Sequence, residues 1–286
     1  MSNIELRNMK RIEKYIRFAC LAAVAMCFAA CSQDELIDNG GVLPEGKYPL
    51  QIATVTIADG QPSTRVTEND DRMGSTWEVG DLIYVKFEGQ DEVGTLRITD
   101  ATTGAVEVVE HIYWTSQSAT VIAWHNSTGQ RDRMDVSDQT GGIAYMVWGK
   151  AQVDFKGAAN LTLSHQLSKV RVFLNGFTEP TGVTLKYIAI YDIDIDDGVI
   201  SAGTQQSGSS WMPDGTWGIG DILMYATTVN GQVCFEATIM PGTFNSENSF
   251  VITQADGTQY EMGLDSDLVL EAGEVSEVTL TLQISN

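Results

Sequence analysis

The sequence predicts an all-β protein, two tandem β-sandwiches of seven strands each, set behind an N-terminal signal peptide. Almost no segment beyond residue 46 keeps a helical period, whereas short alternating or β-branched runs recur throughout. Dipeptides that tolerate positive φ separate those runs: Asp59-Gly60, Asn175-Gly176, Asp197-Gly198, Asp214-Gly215, Asn230-Gly231 and Asp256-Gly257. The longest apolar run, Phe18 to Ala30, follows the basic residues Lys10, Arg11, Lys14 and Arg17. Its 13 residues are too few to span a bilayer and fit the h-region of a secretory signal. Met9, just ahead of the basic stretch, is an alternative start.

In chain order, residues 1–30 are the signal and residues 31–46, polar with Gly and Pro, are a tether. Strands are expected at Leu50–Ile57, Leu82–Phe87, Thr95–Ile98, Ala105–Val109, Ala119–His125, Ile143–Val153 and Asn160–Ser164. A second set follows at Lys169–Leu174, Thr184–Ile195, Ile222–Thr228, Val233–Met240, Phe250–Gln254, Gln259–Leu264 and Glu277–Gln283. Asn230-Gly231, between I-L-M-Y-A-T-T and V-C-F-E-A-T-I, is the clearest hairpin. Seven strands on each side give domains at 47–165 and 166–286. The segment L-T-L-S-H-Q-L-S-K-V-R-V-F-L, Leu161 to Leu174, is either the join or one bent strand. W-E-V-G-D-L-I at Trp77 to Ile83 is echoed by W-G-I-G-D-I-L at Trp217 to Leu223, as a duplication or as two similar turns into strands.

Without residues 1–30, which carry five bases and two acids, 12 basic residues face 36 acidic ones, a net charge of about −24. Such a surface repels phosphate backbones and anionic lipid heads, which argues against nucleic-acid binding and electrostatic membrane docking. Cys20 and Cys27 leave with the signal. Cys234, in an expected strand, reads as a buried structural thiol rather than a nucleophile.

Few motifs carry chemistry. D-I-D-I-D-D-G, Asp192 to Gly198, has the alternating acids of a calcium loop. Asp197 takes the place of the loop glycine, however, and no Glu follows at the twelfth position. Ile193 and Ile195 alternate with the acids, so a half-buried strand with a solvated acidic face entering an Asp-Gly turn is the favoured reading, with a weak calcium site as the alternative. His111, His125 and His165 lack metal-ligand spacing, and no nucleophile elbow, P-loop or paired-cysteine motif is present. No cofactor is expected. W-H-N-S-T, Trp124 to Thr128, either faces a ligand or belongs to the core.

The chain ends say more. The first strand runs into a polar loop carrying Arg65 and Arg72, and the last alternates Val278, Leu280, Leu282 and Ile284. A detachable first strand leaves unpaired backbone groups that a free alternating strand from another copy can fill.

Ala29-Ala30 before Cys31 resembles the lipobox of bacterial lipoproteins, with Phe28 in place of the usual leucine, and Asp34 and Glu35 resemble the export signal of Bacteroidetes surface lipoproteins. Those features, the loop ending Thr64-Arg65, W-E-V-G-D-L-I-Y-V, the Leu161 to Leu174 segment and the closing E-A-G-E-V-S-E-V-T-L-T-L together resemble the fimbrillin family of Bacteroidetes. The resemblance implies two transthyretin-like sandwiches, a lipid anchor in the outer membrane through Cys31, and cleavage after Arg65 by an arginine-specific surface protease. Arg72 is a second candidate cut site. It further implies donor-strand exchange with other fimbrial subunits, using Val278, Leu280, Leu282 and Ile284. The expectation is a surface fimbrial subunit precursor with a structural or adhesive role and no catalysis. The alternatives are a non-polymerising surface lipoprotein that binds glycans or host proteins, and a glycan hydrolase with an unmarked carboxylate pair.

Overall fold

A computed structural model describes residues 42–58, 73, 75–203, 219–245 and 248–283. The expectations for the signal peptide, Cys31, Arg65, Arg72 and Ile284 lie outside these residues. Among the described residues the secondary structure is β throughout, and no helix is long and apolar enough to cross a membrane. The first eight strands are β1 (Ile52–Ile57), β2 (Leu82–Phe87), β3 (Val93–Asp100), β4 (Ala105–Glu110), β5 (Ser118–Asn126), β6 (Arg133–Asp135), β7 (Met146–Asp154) and β8 (Ala159–His165). The next six are β9 (Ser168–Asn175), β10 (Pro180–Ile188), β11 (Ile190–Ile193), β12 (Ile200–Ala202), β13 (Ile219–Leu223) and β14 (Tyr225–Val229). The last six are β15 (Gln232–Ile239), β16 (Gly242–Phe244), β17 (Ser249–Gln254), β18 (Gln259–Met262), β19 (Leu268–Leu270) and β20 (Val275–Thr281).

Seven strands close a barrel in the order β1-β4-β3-β2-β5-β7-β8. Every neighbouring pair is antiparallel except the seam, where β1 runs parallel to β8 from Ile52↔Ala159 to Ile57↔Leu163. Closure follows from alternation: β8 buries Ala159, Leu161, Leu163 and His165 and exposes the residues between. Val55, Ile83, Phe87, Leu96, Ile98, Trp114 and Val121 fill the interior. The Phe87 and Trp114 rings lie 4.7 Å apart, a tilted contact worth about 1 kcal/mol beyond the area buried.

The second core is built by two four-stranded sheets, β14-β15-β9-β20 and β13-β10-β17-β18. Val170, Val172, Phe235, Ala237, Val278 and Leu280 come from the first, and Val183, Leu185, Ile222, Phe250 and Ile252 from the second. Met134, Val136, Ala144 and Met146 also enter this core, although they lie between barrel strands β5 and β7 or at the start of β7.

Leu161 to Leu174 is two strands, broken at Gln166-Leu167, with β8 in the barrel and β9 in the sheet. Two expected single strands are also split. Thr184–Ile195 is β10 and β11 parted at Ala189, and Ile222–Thr228 is β13 and β14 parted at Met224. At each break the chain changes sheets, β10 pairing with β13 and β17 while β11 pairs with β6 and β12. The first and last strand of each half share one arrangement, β1 parallel to β8 and β9 parallel to β20. Of the two echoing segments, Gly80-Asp81 forms a turn while Gly220-Asp221 lies inside β13, and Trp217 and Gly218 lie outside the described residues.

Candidate functional site

The seat of β1 is made by three separate pieces of chain. Besides the parallel ladder to β8, β1 meets β4 at Thr54↔Ala105, and the Val55 N–H donates to the Gly104 carbonyl at 2.8 Å. Gly104 has φ +68°, and a Cβ there would lie 2.2 Å from the Val55 carbonyl oxygen, so only glycine lets this turn approach β1. The same carbonyl accepts the Trp77 indole N–H at 2.9 Å. Trp77 is positioned by the turn after it, where Asp81 Oδ2 accepts the Glu78 N–H at 2.9 Å and Gly80 takes φ +106°. W-E-V-G-D-L-I is therefore a turn into β2 whose first residue also clasps β1.

β20 lies at the edge of its sheet, in parallel register with β9 from Val275↔Lys169 to Thr281↔Asn175. Val278 and Leu280 are 7% and 4% exposed, packed in the second core. Leu282 extends the ladder by donating its N–H to the Asn175 carbonyl at 2.9 Å. On the opposite face, Arg171 of β9 donates Nε to Glu236 of β15 at 2.6 Å and an amino group to Glu277 of β20 at 2.9 Å. Lys169 stands 3.7 Å from the same Glu236. Burial makes these charges dependent on one another, since a buried ion without its partner is strongly unfavourable.

The other candidates fall elsewhere. Asp192 ends β11 with Ile193, and the acids beyond form a turn: the Asp194 and Asp197 carboxylates accept the Asp196 and Val199 N–H groups, and Gly198 takes φ +74°. Asp196 pairs with Lys86 of β2 at 2.7 Å. The strand-and-turn reading therefore describes these residues, and among the described residues no group of three or more His, Cys, Asp or Glu is placed to hold a metal. Cys234 is a buried free thiol, its pKa raised chiefly by burial. Trp124 is core, but its neighbours His125 and Ser127 line a cavity of about 510 Å³.

That cavity is lined by Ser75, Thr76, Glu78 and Asp81 ahead of β2, His125 of β5, Tyr145 ahead of β7, and the sheet residues Lys169, Tyr225 and Glu236. Sequence reasoning reached its wall through W-H-N-S-T, W-E-V-G-D-L-I and the Leu161 to Leu174 segment, without linking them. The rest comes from segments that periodicity does not connect.

A seven-stranded barrel followed by a two-sheet core, with parallel first and last strands in each half, defines an all-β protein. The sequence profile of the fimbrillin-like family matches residues 64–286, and the chain belongs to that family. A candidate cell adhesion protein of Bacteroides ovatus superposes with a TM-score of 0.57 at 16% identity, covering 82% of this chain and 92% of that one. A candidate cell adhesion protein of Bacteroides uniformis gives a TM-score of 0.49 at 15% identity, covering 80% and 93%. A fimbrial protein of Bacteroides ovatus gives 0.37 at 14% identity, covering 85% of this chain and 52% of its own. At such identity the first match speaks for the fold alone. Comparison with the curated proteins gives no match.

Proposed function

We propose that the chain is a cell-surface fimbrial subunit precursor with a structural or adhesive role and no catalysis. It is exported by residues 1–30, acylated at Cys31, tethered to the outer membrane by residues 31–46 and folded as tandem transthyretin-like domains, 47–165 and 166–286. Cleavage after Arg65 releases β1, and a neighbour's terminal strand, presenting Val278, Leu280, Leu282 and Ile284, fills the groove. A multiply acylated cysteine anchors stably, whereas one chain binds only marginally. Membership in the fimbrillin-like family supports the surface location.

The observation that carries this reading is the position of β1 in the barrel. It is the closing strand, bonded to both β4 and β8, so its departure opens two strand edges at once. Arg65 follows it by eight residues from Ile57, and the family match begins at residue 64.

The test is the N-terminus of the protein taken from the native cell surface, read by mass spectrometry. A start at Val66 supports removal of β1. A start at acylated Cys31 refutes processing after Arg65 and favours a surface lipoprotein that binds its ligand without polymerising.

A further inference from the structure

β1 fills its seat with one residue too many. Leu50, Ile52 and Val55 are buried in the barrel core, and Ile57 packs half-buried against it. The spacing of these residues is uneven, because Ile52 pairs with Ala159 and Thr54 with the next residue, Asn160, which leaves Ala53 as a bulge. A bulged residue has no ladder partner, so the match between β1 and β8 is interrupted there.

At its centre the seat holds backbone rather than side chain. The Gly104 carbonyl accepts the Val55 N–H at 2.8 Å, and the Trp77 indole donates to the Val55 carbonyl at 2.9 Å. Trp77 and Gly104 both lie beyond Arg65, so a cut there leaves them in the mature chain. Neither bond depends on the identity of the residue held. The Val55 side chain is 0% exposed, however, so a residue in its place has to be apolar.

The terminal strand meets these conditions in one register. Val278, Leu280, Leu282 and Ile284 are evenly spaced by two residues. Laid along the direction of β1 without a bulge, they match Leu50, Ile52, Val55 and Ile57 in order when Leu282 takes the place of Val55. Each set is one valine and three residues of leucine or isoleucine, so the volume inside the barrel is conserved. Thr281 then takes the place of Thr54, whose hydroxyl donates to Asn160 Oδ1 at 2.8 Å. A slip that puts Leu280 in the place of Val55 brings Ser276 to the level of Leu50, a polar group in an apolar seat.

We infer, on the strand-exchange reading above, that Trp77 and Gly104 are positioning residues that set the register of a strand arriving from a second copy. The Leu282 N–H and carbonyl take the bonds that Val55 makes, and the strand runs parallel to β8. None of its residues is left out of the ladder as Ala53 is, which favours the replacement of β1.

The test is cross-linking on the native cell surface. Thr56 of β1 faces Thr162 of β8, both exposed, with hydroxyl oxygens 3.3 Å apart. In the inferred register Gln283 takes the place of Thr56. A chain carrying Thr162→Cys and Gln283→Cys is oxidised on the cell and run on a non-reducing gel, since paired strand residues lie within disulfide reach. Thr56→Cys with Thr162→Cys, which closes within the uncut precursor, calibrates the geometry. Cross-linked multimers are expected, with about fivefold less from Thr162→Cys combined with Thr281→Cys, the two-residue slip, or with Thr279→Cys, the antiparallel strand. Trp77→Phe should raise the Thr281→Cys product relative to the Gln283→Cys product by about fivefold, the worth of one hydrogen bond. A loss of stability alone would lower both products together. Preferred cross-linking through Thr281→Cys or Thr279→Cys, multimers that cross-link in none of the three pairs, or an unchanged ratio in Trp77→Phe overturns the register while strand exchange stands. Surface protein that is monomeric without any substitution, or multimers whose subunits keep residues 31–65, overturns strand exchange itself and the register with it.

Discussion

The Trp77 indole N–H donates to the Val55 carbonyl across 2.9 Å, so a residue outside the barrel ladder holds the middle of its closing strand. Trp77→Phe keeps most of the buried ring and removes the donor. The expected loss is about 1–3 kcal/mol of stability, read from equilibrium urea unfolding.

The same carbonyl explains why residue 104 is glycine. Gly104→Ala combines backbone strain at φ +68° with a Cβ placed 2.2 Å from Val55 oxygen. Gly129 has a similar φ of +79° but open space around its Cβ position. Gly129→Ala should therefore cost only the left-handed strain, about 1–2 kcal/mol, and Gly104→Ala clearly more. Thermal melts of the two variants check the order.

In the β9 charge cluster, the two carboxylates around Arg171 are not equivalent. Glu236 is buried, whereas the Glu277 side chain is 50% exposed. Glu236→Gln leaves buried cations underpaired and is expected to cost about 3–5 kcal/mol. Glu277→Gln removes a solvent-screened pair and should cost about 1 kcal/mol or less. Chemical denaturation of both variants distinguishes them.

Burial holds the His125 imidazole below its ordinary pKa of 6.5, while the Leu82 carbonyl and the Asp81 charge pull weakly the other way. The unfolded chain takes up this proton first as pH falls, so the contribution is complete above about 6.5 and is lost below it. The melting temperature is expected to fall between about pH 6.5 and 5, with a shallower slope in His125→Gln.

Removing residues 278–286 takes Val278 and Leu280 out of the second core as well as removing the proposed donor. The truncated chain should lose about 4–8 kcal/mol, judged from two buried side chains at the usual large-to-small cost. Melting of the truncated protein must therefore accompany any assembly assay on it.

The alternation that made the strands legible also hid their sheet changes. Side chains keep pointing in and out through Ala189 and Met224, so Thr184–Ile195 and Ile222–Thr228 each read as one run although the hydrogen-bond partners switch. β6, β12, β16 and β19 are three residues long, too short for any period to register. The first and last strands were readable because each is longer and flanked by polar sequence. The clasp of Trp77 and Gly104 on Val55 was not, since its 22- and 49-residue separations are set by topology rather than local pattern. His125 was visible within W-H-N-S-T, but the other residues that line its cavity come from chain segments far apart.

The parallel seam also imposes an order in time. Ile52 pairs with Ala159, so β1 waits for a partner more than a hundred residues behind it. Contacts so distant in sequence form slowly, because the loop must be closed before pairing rewards it. The barrel therefore closes only once β8 is available, and until then β1 presents an unpaired edge to any neighbouring strand it meets.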